Sequence, residues 1–163
     1  MDFFRRPEKR PTTFEHSRIL VPLLGEPPVD DPAIKVAALL LSGHPNAEVS
    51  LLHVIEVPFE RTLDAEDEAA VMRADEVLSR AESLLAEKGI ATRTSTVQAR
   101  AAGPAIVDDA NELGSDLIVM GLRYKKRFGG QWDAGRTVPY VMRNSTAPVW
   151  CLRAETKELA HTT

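Results

Sequence analysis

Continuous apolar runs alternate along the chain with segments whose apolar residues recur every three or four positions. RILVPLL (18–24), EVSLLHVIEV (48–57) and DLIVMG (116–121) are of the first kind, the pattern of strands buried on both faces of a sheet. ATRTSTVQA (91–99), rich in threonine and valine, predicts a half-exposed strand, and APVWCLR (147–153) a fifth. Helical periods lie between them. Asp31-Pro32 supplies an N-cap with proline at the first helical position, Gly43 closes that helix, and Val36, Ala37, Leu40 and Leu41 form its apolar stripe. From about 66 to 88, Ala70, Ala74, Val77, Leu78, Ala81, Leu84 and Leu85 make the strongest helical period, ended by Gly89. Gly103-Pro104 opens a third helix, with Ile106, Val107, Ala110 and Leu113 on one side and Gly114 after it. A short fourth spans about 136 to 144.

The resulting order, β-α-β-α-β-α-β-loop-α-β, predicts an α/β fold with a parallel sheet, helices on both faces and right-handed crossovers. Such sheets take ligands beyond the carboxyl ends of their strands, where strand order reverses. Those ends are Leu23 to Gly25, Val54 to Val57 and Met120 to Arg123. Residues 1–16, polar, basic and proline-containing, read as a flexible leader, 17–153 as the domain and 154–163 as a polar tail.

Composition narrows the partners. The chain has 163 residues, enough for one domain with a substantial core, and its net charge of −4 disfavours whole-surface attraction to nucleic acid or anionic lipid. Any anion site must be local. The single cysteine, Cys151, allows no intrachain disulfide, which suits a reducing cytoplasm. The opening MDFFRRPEKRPTTFEH lacks the apolar core of a secretory signal, and VAALLL (36–41) falls far short of the roughly 20 apolar residues a membrane span requires, so a soluble protein is expected.

One stretch stands out in this acidic chain. GLRYKKRFGGQWDAGRT (121–137) crowds Arg123, Lys125, Lys126 and Arg127 together, with no acid between Asp116 and Asp133. Its glycines would let backbone N–H groups approach an anion, and the helix start at Arg136, Thr137 and Val138 would present free donors. The alternative is a solvated surface loop that keeps the protein soluble. It is neither a G-x-x-x-x-G-K-[ST] nor a G-x-G-x-x-G loop. His53, inside an apolar strand, reads as a hydrogen-bonded structural residue; His16, His44 and His161 sit in leader, loop and tail, with no zinc-ligand spacing. Cys151 reads as an inert small hydrophobe, Asp108 and Asp109 diverge on a helix, and Glu66, Asp67 and Glu68 suit a helix start. No nucleophile elbow occurs, so a binding protein is expected rather than an enzyme, with any hydrolysis slow.

ILVPL (19–23), VSLLHVIE (49–56), DLIVMG (116–121) and YVMRNSTAPVWCLR (140–153), in this order and at these separations, resemble the universal stress protein family over about residues 17 to 153. The resemblance implies a five-stranded parallel sheet of order 3-2-1-4-5, Rossmann-like and similar to the adenine nucleotide alpha hydrolases. It also implies a cytoplasmic stress-response protein and a homodimer paired through the last strand, Pro148 to Arg153. Many members bind ATP through Gly, two residues, Gly, nine residues, then Gly and Ser or Thr. Gly121 matches the first glycine and Tyr124 stands at the second. Gly135 matches the third with one extra residue, which puts Arg136 at the Ser/Thr position and Thr137 just beyond. ATP-binding members usually carry Asp after V-P-x, where Leu24 stands here before Gly25; the backbone contact to adenine would fall on Val54.

The resemblance therefore implies a modified site for ATP, another adenine nucleotide or another phosphorylated anion. Its residues would be Pro22, Leu23, Leu24, Gly25, Val54, Met120, Gly121, Arg123, Tyr124, Lys125, Gly135, Arg136 and Thr137. Thr137 and nearby N–H groups would hold phosphates, while Arg123, Lys125 and Arg136 neutralise their charge. V-P-L-L-G (21–25), F-G-G (128–130) and G-R-T (135–137) are also similar to stress-protein domains appended to bacterial membrane transporters. That likeness implies an alternative, a dimeric interaction module that binds no nucleotide and regulates a transporter.

Overall fold

The first strand is apolar at every position but its first because it runs through the middle of a sheet covered on both sides. The computed structural model describes residues 16–123, 125–126 and 132–153, with the backbone alone at 125–126 and 132–133. Along these residues run β1 (Arg18–Leu23), α1 (Pro27–Leu41), β2 (Glu48–Glu56), α2 (Glu68–Ala86), β3 (Ala91–Ala99), α3 (Ala102–Glu112) and β4 (Leu117–Leu122). Then come β5 (Lys125–Lys126), β6 (Trp132–Asp133), α4 (Thr137–Asn144) and β7 (Val149–Arg153). The parallel sheet has the order β3-β2-β1-β4-β7, which is the expected 3-2-1-4-5. Residues 1–15 of the expected leader (1–16), the tail over 154–163 and the position of Tyr124 lie outside the described residues.

Strand alternation splits the core into two layers. Ile19, Val21, Leu23, Leu51, Leu117 and Val119 face α1 and α2, where Ile34, Ala37, Leu41, Leu78 and Leu85 meet them. Leu20, Leu52, Ile118 and Met120 face α3 and α4, against Ile106, Val107, Val138 and Val141. Each large aliphatic side chain buried this way contributes roughly 1.5–3 kcal/mol, and the layers are held because a one-residue slip would turn every one outward. β3, at the edge, is the half-exposed strand its threonines predict.

Two local expectations are corrected. α1 begins at Pro27, not at Asp31-Pro32. Gly25, with φ of 83°, turns the chain sharply off β1, and Pro27 at the first helical position has its φ already set. Pro32 then lies inside the helix, where it lacks the N–H that would reach back four residues. Asp31 caps nothing; it takes a two-pronged ion pair from Arg80 of α2, at 2.6 and 2.8 Å. That guanidinium, first of all by its hydrogen bonds, holds the Asp31 carboxyl below the ordinary carboxylate value. Secondly, the stretch assigned to a loop contains a short antiparallel ladder, Lys125 opposite Asp133 and Lys126 opposite Trp132. Among the described residues no helix is long and apolar enough to cross a membrane.

Candidate functional site

A cleft of about 540 Å³ opens at the carboxyl edge of the sheet, between the ends of β1, β2 and β4. Its volume falls in the range of small-molecule sites, roughly 300–1,000 Å³. Leu23, Val54, Ile106 and Met120 give it an apolar floor. Its rim is formed by Gly121 near the end of β4, Arg123 just after it, Thr137 at the start of α4, Arg61 and Asp67 from the connection into α2, and Arg73 in that helix. The place is where crossovers leave the sheet on opposite faces, so no helix covers the strand ends.

The polar groups around the cleft are largely paired with one another. Asp30, 4% exposed, accepts the N–H groups of Leu24, Gly25 and Glu26 at 2.9, 2.8 and 3.0 Å. Burial pushes its carboxyl above the ordinary value, and the three donors oppose that shift. Arg123 makes a two-pronged ion pair with Glu26, Nε to Oε2 at 3.0 Å and Nη2 to Oε1. Arg61 donates to Asp67 at 2.8 Å and to the Glu66 carbonyl at 3.2 Å, while Asp67 accepts the Ala70 N–H at 3.0 Å and so caps α2. Arg61 foremost, then that N–H, holds the Asp67 carboxyl below its ordinary value.

Glu56, the last residue of β2, accepts the Ala102 N–H at 2.8 Å and thereby takes the first donor of α3. A carboxylate here also meets the positive end of that helix. Replacing Glu56 with alanine should destabilise the chain by about 1 kcal/mol, the usual cost of a lost helix cap, as read from urea unfolding midpoints. Arg100 donates to the carbonyls of Val57 (3.1 Å) and Pro58 and lies 5.2 Å from the Phe59 ring, which anchors the connection leaving β2.

Of the residues singled out in the sequence, Pro22, Leu23, Leu24, Val54, Met120, Gly121, Arg123 and Thr137 line the cleft. Gly25 points the other way, toward Val77 and Arg80 around a cavity of about 30 Å³. Gly135 and Arg136 stand in the turn before α4 and outside the lining. Tyr124 and the Lys125 side chain lie outside the described residues. His53 sits at the cleft with Nδ1 2.9 Å from the Leu23 carbonyl, a contact that requires the proton on Nδ1. Cys151 is half-buried, which raises its thiol pKa. The sequence reading missed Glu56, Arg61, Asp67, Arg73 and Ala102. A signal for Glu56 existed, since it closes a strand at the ligand-bearing edge; Arg61 and Asp67 come from a connection whose path no periodicity reveals, and Arg73 and Ala102 from helices whose docking sets their place.

A sequence profile described as the Universal stress protein family matches residues 15–153. No curated protein sequence matches the chain. Solved structures of similar fold include a universal stress protein from Archaeoglobus fulgidus, 22% identical over 83% of this chain and 93% of that one, with a TM-score of 0.66. A universal stress protein from the same organism in complex with dAMP is 22% identical over 83% and 97%, with a TM-score of 0.63. A universal stress protein family protein from Arabidopsis thaliana with AMP bound is 13% identical over 90% and 97%, with a TM-score of 0.63.

Proposed function

The chain belongs to the universal stress protein family, and from that premise we propose that it is a stress-response protein binding an adenine nucleotide in the cleft between β1, β2 and β4. The observation that carries the reading is the 540 Å³ cleft itself, with its apolar floor and with Gly121, Arg123 and Thr137 gathered at one rim. Relatives of the same fold hold dAMP and AMP, which supports an adenine nucleotide as the ligand class.

In this reading Pro22, Leu23, Leu24 and Met120 flank the base and the Val54 backbone meets its edge. Phosphate lies at the start of α4, with the Thr137 hydroxyl and the first N–H groups of that helix as donors. The choice among helix starts follows from pairing. The first N–H of α3 is held by Glu56 and α2 is capped by Asp67, whereas among the described residues α4 has no side-chain cap, and its first turn carries no acid. Arg136, the residue before α4, adds positive charge beside it. The reading is one of binding rather than catalysis.

Calorimetric titration with ATP, ADP and AMP is expected to return a measurable dissociation constant for at least one of them. That ligand at about a hundred times its constant should raise the unfolding free energy by roughly 2.7 kcal/mol. No heat and no thermal shift with any of the three would sink the reading.

A second reading, a dimeric interaction module that regulates a membrane transporter without nucleotide, is favoured by one observation. β7 is an edge strand whose Val149, Trp150, Cys151 and Leu152 are only half-buried in the single chain. A partner strand along it would cover them and remove an open edge. Light scattering that returns a dimer from a protein giving no nucleotide heat would favour this second reading over the first.

A further inference from the structure

The arginine that faces the cleft is already engaged. Arg123 follows β4 and lines the cavity, yet its Nε and Nη2 both go to the Glu26 carboxylate. The two side chains are 43% and 44% exposed, so water and solutes reach the pair. A guanidinium fork holding a carboxylate through two parallel bonds uses the geometry it would use on two phosphate oxygens.

Glu26 makes no other side-chain hydrogen bond among the described residues. Its backbone is held independently of that side chain. Its N–H goes to Asp30, and its carbonyl accepts the N–H groups of Val29 and Asp30. Its carboxylate therefore does little for the turn into α1. What it does is occupy Arg123.

We propose that Glu26 is a specificity-determining residue of the cleft, standing on Arg123 in the place of a ligand phosphate. The inference rests on the nucleotide reading above. A phosphate that takes the Nε–Nη2 edge of Arg123 must displace a carboxylate, and one that takes the remaining donors still meets its negative charge, whereas an uncharged nucleoside pays no such penalty. Glu26 thus weakens phosphorylated ligands selectively and leaves the base contacts alone. A terminal phosphate, with a charge of about −1.5 to −2 at neutral pH, is a stronger partner for the fork than a carboxylate, so the exchange is possible. An exposed ion pair of this kind is worth up to about 1 kcal/mol, which corresponds to roughly fivefold in affinity.

The test is a calorimetric comparison of the wild-type chain, Glu26→Gln, Arg123→Gln and the double variant, each titrated with ATP and with adenosine. Thermal melts without ligand check that all four fold. Glu26→Gln is expected to bind ATP about fivefold tighter while adenosine changes less than about twofold, and adding Arg123→Gln should erase the gain. If the wild-type chain binds both ligands and Glu26→Gln leaves ATP unchanged, Glu26 does not compete and the inference fails while the nucleotide reading stands. An equal gain in the double variant overturns it too, because Arg123 would then not be the group released. If neither ligand binds any of the four proteins, the nucleotide reading fails and takes this inference with it.

Discussion

Gly121→Ala is expected to lower the unfolding free energy by about 3 kcal/mol and the melting temperature by roughly 6–12 °C, in the absence of any ligand. A Cβ at this position would stand 2.1 Å from the Val29 carbonyl oxygen and 2.7 Å from Val29 Cγ1. Neither neighbour can step aside cheaply, because the nearer is backbone inside α1. The helix would have to move off β4, and with it the buried contacts of Ala33, Ile34 and Ala37. Thermal melts and urea unfolding of the ligand-free variant check this; a melting temperature within about 2 °C of wild type would show that the helix shifts freely. The motif match assigns this glycine to phosphate, but the close approach of α1 already demands it. Loss of ligand binding in Gly121→Ala therefore says nothing about the site until its fold has been measured.

Asp30→Ala is the second large effect, about 3 kcal/mol, because it removes at once the buried acceptor of three backbone N–H groups in the turn from β1 into α1. Asp30→Asn should lose less, since one amide oxygen still accepts. The pH dependence has a definite sign. Burial raises the Asp30 carboxyl above its ordinary value of 3.8, so the folded chain holds this proton more tightly than the unfolded one. Its linked stability is fully present below 3.8 and is lost as pH rises through the raised folded value. Asp31 runs the other way. Lowered by Arg80, it contributes above the same ordinary value of 3.8 and loses that contribution as pH falls through its depressed one. Urea unfolding between neutral pH and pH 4 should show the advantage of wild type over Asp30→Asn widening on acidification. A constant or narrowing gap would mean that the three donors, not burial, govern this carboxyl.

Element type and order were legible where physical chemistry is local. The strand over 91–99 and the helix ended by Gly89 were readable because side-chain period and turn residues are properties of neighbours in sequence. The start of α1 was misread, since Asp31-Pro32 is a sound local signal that a nonlocal arrangement overrides. Asp30 ties the turn back to the end of β1, Gly25 redirects the chain, and Arg80 of another helix takes Asp31. The cleft was legible as a location, because a parallel α/β sheet leaves its strand ends open at the reversal of strand order. Its polar lining was not: Arg61 and Arg73 carry no motif, and they reach the cavity through the path of the connection after β2 and the placement of α2.

The sequence by itself determined the parallel α/β architecture with helices on both faces, because hydrophobic periodicity dictates which faces must be buried. Only the tertiary structure decided what the conspicuous residues do. Gly121 serves the approach of α1 to β4, Glu56 holds the start of α3, and Arg123 is bound to Glu26, 97 positions away. A charge or a glycine in a sequence announces a capacity. Which capacity is used depends on the group that folding brings within 3 Å, and that group is set by packing across the whole sheet.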